Sequence, residues 1–447
     1  MRPIWFAAGW IGVCLALIYL PDCGVGFIKD DYNWIASSRL EGWHSVWQTF
    51  TTSPTGFYRP LVSLSFGLNT IAFGLKPLPY GLTNLLLAVA TAVAIGWLVW
   101  RMGFQPGIAL FAASVWILNF HGIGMAVLWT SGRTSLLAAF FAVCAACAFI
   151  SARPVACGLF TLLALLSKEE PLLLPAAFLL WLTIANADAG TPLRKRRRWA
   201  VVASTVAVAV YLAIRWRSGA MTPFTAPDFY QYQPSMIPIN TLHYADRSLT
   251  LTISLLILGA LFARRERLHL TADERSVILK GLVWLACGFA LTIMIPVRSS
   301  LYVCLPSVGS ALILAAIASA EWRAITRRRL VLTGLLVLPL VLVPVYWARD
   351  LQLSREQLLG RNALQVVVSR LTGRQVHRLV VYDDPGHRPS IGDTFGGALP
   401  IALKLFLADH APSEVVVSTE PPPSRAPASD TVEFVLSGTT LIERRVP

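Results

Sequence analysis

Two adjacent carboxylates, Asp30-Asp31, follow the short apolar lead Val25-Gly26-Phe27-Ile28. A carboxylate placed there can take the proton of a hydroxyl as a general base. It can equally cap the helix that Tyr32-Asn33-Trp34-Ile35 would open. Tyr58-Arg59-Pro60-Leu61 supplies a guanidinium that can grip a phosphate bidentately and stays charged at neutral pH. The same side chain would also serve as a snorkelling anchor. Ser167-Lys168-Glu169-Glu170-Pro171 sets an ammonium beside two acids in a tight link between apolar runs. Ionisable groups at such depth are functional candidates, and a Lys–Glu pair local to the turn is the plainer alternative. Trp129-Thr130-Ser131-Gly132-Arg133 and Arg298-Ser299-Ser300-Leu301-Tyr302 each put an Arg at the end of an apolar run. His121 stands alone and reads as a hydrogen-bonded structural residue, and Asp383-Asp384 with His387 read as a turn. No metal-ligand set is visible. Cys144 and Cys147 form a C-x-x-C without a second pair or a His cluster, so the thiols read as buried packing.

The elements that must position these groups are membrane spans. Of 447 residues, 55% are apolar and only 14% charged, with a mean hydropathy of +0.60. Soluble domains run near 45–50% apolar and about 25% charged, so an ordinary soluble enzyme and a disordered chain are both excluded. A span needs roughly 20 mostly apolar residues. Candidates fall at about 4–20, 80–100, 107–126, 134–150, 155–167, 171–187, 199–216, 248–263, 277–296, 301–320 and 330–347, eleven in all. The first resembles a signal peptide but lacks a clear cleavage site, so it reads as an uncleaved span. The stretch 60–75 is short and holds Ser63, Ser65, Gly67, Asn69 and Gly74, which suits an interfacial or re-entrant helix.

The net charge of +14 would suggest nucleic acid if the basic residues formed one patch. They do not. With the N-terminus cytoplasmic, the even connections together with Arg2 and Lys280 hold 17 basic and 5 acidic residues, including Arg194–Arg198, Arg264–Arg267 and Arg327–Arg329. That side carries +12, the opposite loops +2 and the tail from 348 zero. The charge therefore reports orientation by the positive-inside rule, with no nucleic-acid partner. Were 60–75 to span, the first loop would move inside, but its shortage of basic residues favours the outside. Asp30, Asp31, Arg59, Arg133, Lys168 and Arg298 then share one membrane face.

Two outer segments are long enough to fold. Residues 21–79 carry Trp34, Trp43 and Trp47, suited to helices at headgroup level, and 217–247 is a lid-like loop with Pro223, Pro227, Pro234 and Pro238. From 348 the composition changes. Residues 350–371 read as a helix, 379–382, 414–417 and 432–436 as short strands, 395–408 as a helix and 421–427 as a proline-rich loop. This gives two parts: a transmembrane domain over 1–347 and a small α/β domain over 348–447, outside the cytoplasm.

The motifs resemble those of the C-type, multi-spanning (GT-C) glycosyltransferases. They are most similar to the protein O-mannosyltransferase-like branch, including the transmembrane mannosyltransferases that carry tetratricopeptide repeats. The matching stretches are Phe27–Asp31, Tyr58–Leu61 with Leu64–Phe66, Leu82–Leu87, Trp129–Arg133 with Leu136–Ala138, Leu165–Glu169 and Leu301–Gly309. Their order and spacing agree over roughly residues 1–347. Two departures stand out. The repeats are absent, so no acceptor carries over, and the acidic pair is Asp-Asp where Asp-Glu is common.

The resemblance implies an all-α polytopic fold and an inverting transfer of a sugar from a polyprenyl-phosphate donor to a hydroxyl on a protein, lipid or glycan. It implies no cofactor and no metal. Asp30 or Asp31 would be the base, and Arg59, Lys168 and Arg298 would bind the donor phosphate. Tyr58, Arg133, Glu169 and Tyr302 are further site candidates. The setting would be a bacterial inner or plasma membrane. A lipid-sugar transporter would instead show mid-span charges and a repeat in its two halves, and neither is seen. A glycan polymerase or ligase would carry its basic site in a large late loop, whereas the acids here lie in the first.

Overall fold

The computed structural model describes residues 2–53, 56–184, 191–220, 230–262, 269–323, 325–384, 386–420 and 430–444. Arg264–Arg267, Pro223, Pro227 and the proline-rich 421–427 lie outside them. Among the described residues, seventeen α-helices precede or surround a four-stranded sheet near the C-terminus. The membrane part begins with α1 (Arg2–Tyr19) and then two short helices, α2 (Asp30–Ser37) and α3 (Trp43–Thr51). Helices α4 (Pro60–Phe73), α5 (Pro77–Arg101) and α6 (Pro106–Ile117) follow, then α7 (Gly124–Leu128), α8 (Arg133–Ile150), α9 (Pro154–Leu165) and α10 (Leu174–Ile184). The remainder is α11 (Pro192–Arg217), α12 (Ile237–Phe262), α13 (Ala272–Phe289), α14 (Ser307–Trp322) and α15 (Ile325–Leu371). Five helices open on a proline at the first helical position, where its missing N–H is not needed.

The helices are less regular than the apolar runs suggest. Among the described residues, Pro77–Arg101, Thr130–Ile150 and Pro192–Arg217 are long and apolar enough to cross a membrane, and six other apolar helices are shorter. The expected span 107–126 is α6, a turn and α7, because Asn119, His121 and Gly122 interrupt the run. A Cβ on Gly122 would lie 2.8 Å from Val303, so the turn packs too tightly for a larger residue. The expected span 301–320 starts as a tight turn over Ser300–Val303, and helix proper begins after Pro306. The 14 residues of α4 rise about 21 Å, short of the ~30 Å hydrocarbon core. Small residues bring α13 and α14 together: a Cβ on Gly309 would lie 2.4 Å from the Gly281 carbonyl.

The tail is built on a sheet of strand order β2-β1-β3-β4: β1 (Arg378–Tyr382), β2 (Glu414–Ser418), β3 (Thr431–Ser437) and β4 (Thr440–Glu443). Strand β1 runs parallel to both neighbours, and β3–β4 is an antiparallel hairpin that the sequence reading lacked. Two helices, α16 (Ile391–Phe395) and α17 (Leu399–Leu407), replace the single helix expected over 395–408, because Gly396 adopts a left-handed conformation at φ 52°. The expected division at 347/348 falls inside α15, which runs unbroken for 47 residues through Pro339 and Pro344. One apolar core joins Phe27, Tyr32 and Phe66 of the first loop and α4 to Leu364, Phe395 and Leu403 of the tail.

Candidate active site

The two adjacent acids have opposite surroundings. Helix α2 starts at Asp30, so both carboxylates lie in its first turn. Asp31 is fully buried. Its Oδ1 accepts from the Ser131 N–H at 2.7 Å and from the Ser131 hydroxyl, and its Oδ2 accepts from the Ile28 N–H at 3.0 Å. Burial pushes the Asp31 carboxyl up to about 7 although these donors pull it down. Such a value would suit a base, but geometry comes first, and this carboxylate has no open side. Asp31 ties the first loop to the turn before α8. Asp30 is exposed, and among the described residues no hydrogen bond occupies its carboxylate. The surrounding protein raises its pKa, while Arg59 and Lys29 pull it back down.

Arg59 immediately precedes α4 and points to the link between α9 and α10. The Leu61 N–H donates to the Leu166 carbonyl at 3.2 Å, which fixes the two segments side by side. Arg59 donates to Glu169 at 2.9 Å, and Arg215, at the end of α11, pairs with the other oxygen of Glu169 at 3.2 Å. The two guanidiniums hold Glu169 ionised, down to about 2, against the cost of burial. Arg59 lies over the Phe57 ring, 4.5 Å from its centre, and its buried Nε has no hydrogen-bond partner among the described residues. Tyr58 is buried on the same wall, against Tyr211, and donates to the Phe50 carbonyl. Tyr230, from the segment between α11 and α12, packs edge-on to Phe57.

Other expected residues sit deeper or further out. Lys168 is 3% exposed, donates to Ser135 at 2.7 Å, pairs with Glu170 and lies over the Tyr302 ring. Its charge is therefore balanced within the protein behind Arg59. Tyr302 forms the wall between that buried pair and Tyr244. Arg298 is exposed and donates to Asn240 at 3.2 Å, at the start of α12.

Arg133 is fully buried and makes five hydrogen bonds: to Asn84, Asn69, the Ser65 hydroxyl and the carbonyls of Ser65 and Tyr80. Its fork braces α4, α5 and α8 and is not open to a ligand. His121 meets Arg349 at 3.2 Å, away from Asp30. The reading of the sequence missed Arg215 and Tyr230. Arg215 closes a long apolar run, and a basic residue in that place was its available signal.

The overall fold recurs in a solved protein. ArnT from Cupriavidus metallidurans, crystallised with undecaprenyl phosphate, superposes with a TM-score of 0.55 over 93% of this chain and 86% of its own, at 14% identity. The chain has the GT-C fold. The oligosaccharyltransferase of Archaeoglobus fulgidus, solved with zinc and sulfate, also matches, at TM-score 0.48 and 12% identity, over 93% of this chain and 62% of its own. No family model and no curated protein matches the sequence. Polytopic membrane architecture is thus a property of the fold. At these identities the GT-C likeness speaks to architecture, and the chemistry rests on the residues above.

Proposed function

We propose that the protein is an integral-membrane glycosyltransferase that moves a sugar from a polyprenyl phosphate to an acceptor hydroxyl, with Asp30 as base. The observation that carries this is the pairing of one open carboxylate with a half-buried Arg–Glu–Arg cluster. Asp30 takes the hydroxyl proton as the oxygen bonds to the anomeric carbon. The bond from that carbon to the phosphate oxygen breaks on the opposite face, inverting the centre, and polyprenyl phosphate leaves with one more negative charge. Arg59 and Arg215 lie where that charge would grow, and Glu169 holds them apart and oriented. The free Nε of Arg59 leaves a donor available for a phosphate oxygen. Lys168 acts from behind, through Tyr302, and Arg298 stands at the rim. Bringing the two substrates into line supplies much of the remaining rate.

The site faces away from the cytoplasm in this proposal, since that orientation keeps the basic runs inside. ArnT, whose fold the chain shares, was crystallised with undecaprenyl phosphate, which supports a lipid-phosphate donor. The six sequence motifs favour the O-mannosyltransferase-like branch. Incubating the purified protein in liposomes with a panel of polyprenyl-phosphate sugars tests this. Transfer with release of polyprenyl phosphate is expected. Movement of the intact lipid-linked sugar across the bilayer, without cleavage, would show a transporter instead.

A further inference from the structure

Lys29, the residue before Asp30, has φ 48° and ψ −122°, a backbone conformation that side-chain-bearing residues rarely adopt. Such a conformation persists only when the surroundings over-determine it. Here the surroundings are the tail. The Lys29 N–H donates to the Thr394 carbonyl at 3.0 Å, in α16. Its ammonium donates to Glu356, on α15, at 2.8 Å. Glu356 is 5% exposed, so this is no loose surface pair.

The approach on either side is equally tight. A Cβ on Gly26 would lie 2.3 Å from the Gln357 carbonyl, and one on Gly360 would lie 2.9 Å from the Phe27 carbonyl. Tyr32 stacks on Phe395 with ring centres 5.7 Å apart. On the opposite flank Asp31 is locked to Ser131 of the membrane part. Residues 26–32 are thus gripped between tail and bundle, and Asp30 is the one carboxylate in this stretch left open.

We infer that the C-terminal α/β layer positions the base: Glu356 and the Thr394 carbonyl hold Lys29 in its strained conformation, and that conformation aims Asp30 at the acceptor. The inference rests on Asp30 being the base. Lys29 and Glu356 are positioning residues and touch no substrate.

The test compares Lys29→Ala, Lys29→Gly, Glu356→Ala and Glu356→Gln in the full-length protein, with Asp30→Asn alongside. Turnover is measured on the alkaline plateau of the pH profile, so that losing the ammonium is not read through the titration of Asp30. Lys29→Ala and both Glu356 variants should lose about tenfold in kcat, with donor KM within about twofold of wild type. Lys29→Gly reaches φ 48° without a tether, so it should turn over at least about fivefold faster than Lys29→Ala. Glu356→Gln keeps the side-chain shape and guards against a failure to fold.

If Asp30→Asn is inactive while Lys29→Ala and Glu356→Ala keep the wild-type kcat, the positioning role is overturned and the base assignment stands. Equal losses in Lys29→Ala and Lys29→Gly would overturn it too, because the ammonium and not the backbone would then matter. Wild-type turnover in Asp30→Asn would remove the base assignment itself, and this inference with it.

Discussion

Arg133→Lys separates a brace from a phosphate ligand. Arg133 makes five hydrogen bonds in a fixed fork, to acceptors on α4 and α5, and it is fully buried. A lysine ammonium offers three donors from one point. At least two acceptors among Asn84, Asn69, Ser65 and Tyr80 would therefore lose their partner. A buried acceptor left unsatisfied costs about 1–3 kcal/mol, so the expected loss is roughly 2–6 kcal/mol. The guanidinium also lies 4.5 Å from the Phe66 ring centre, and a lysine would not stack there in the same way. The assay is thermal unfolding in detergent followed by tryptophan fluorescence, with donor KM measured well below the transition. A clearly lowered midpoint with an unchanged donor KM is expected. An unchanged midpoint with donor KM raised about tenfold would refute the reasoning and put Arg133 in contact with the donor.

Three further outcomes follow from the same geometry. Turnover needs ionised Asp30, so it should rise with pH through that group's raised pKa. Arg59 holds that pKa down, so Arg59→Ala at saturating donor should move the acid limb to higher pH, and a limb that stays put would detach Arg59 from Asp30. Arg215→Ala should raise donor KM about tenfold or more and leave acceptor KM near wild type, and unchanged donor kinetics would remove Arg215 from the clamp. Gly309→Val should lower the unfolding midpoint, since even a Cβ would sit 2.4 Å from the Gly281 carbonyl, and a wild-type midpoint would contradict that close approach of α13 and α14.

The membrane class was legible because apolar runs and the sidedness of charge are properties of the chain itself. So was the first-loop acid pair, since two carboxylates beside a span are rare enough to notice. What separates Asp30 from Asp31 was not legible. That difference is made by Ser131, 100 residues away, and no local spacing announces it. Arg133 read as a site residue because its type and place suited a phosphate. Its true partners, Asn69 and Asn84, lie on helices whose polar residues looked incidental. Lys168 pairs with Glu170 and donates to Ser135, the local pairing that its sequence neighbours also allowed. The tail read as a separate domain because its composition changes at 348. Yet α15 crosses that point unbroken, and Phe395 and Leu403 share a core with Tyr32. Sequence patterns show which faces are apolar, and only the fold shows which apolar faces meet.

The most direct measurement is sugar transfer by Asp30→Asn, assayed with a polyprenyl-phosphate sugar that the wild type accepts. Asparagine matches the shape of the carboxylate and cannot take the proton, and among the described residues no hydrogen bond holds the Asp30 carboxylate. A protein with a wild-type unfolding midpoint, intact donor binding and turnover reduced by about a thousandfold or more is the result expected of a lost base. Turnover near wild type in that folded variant would contradict the account.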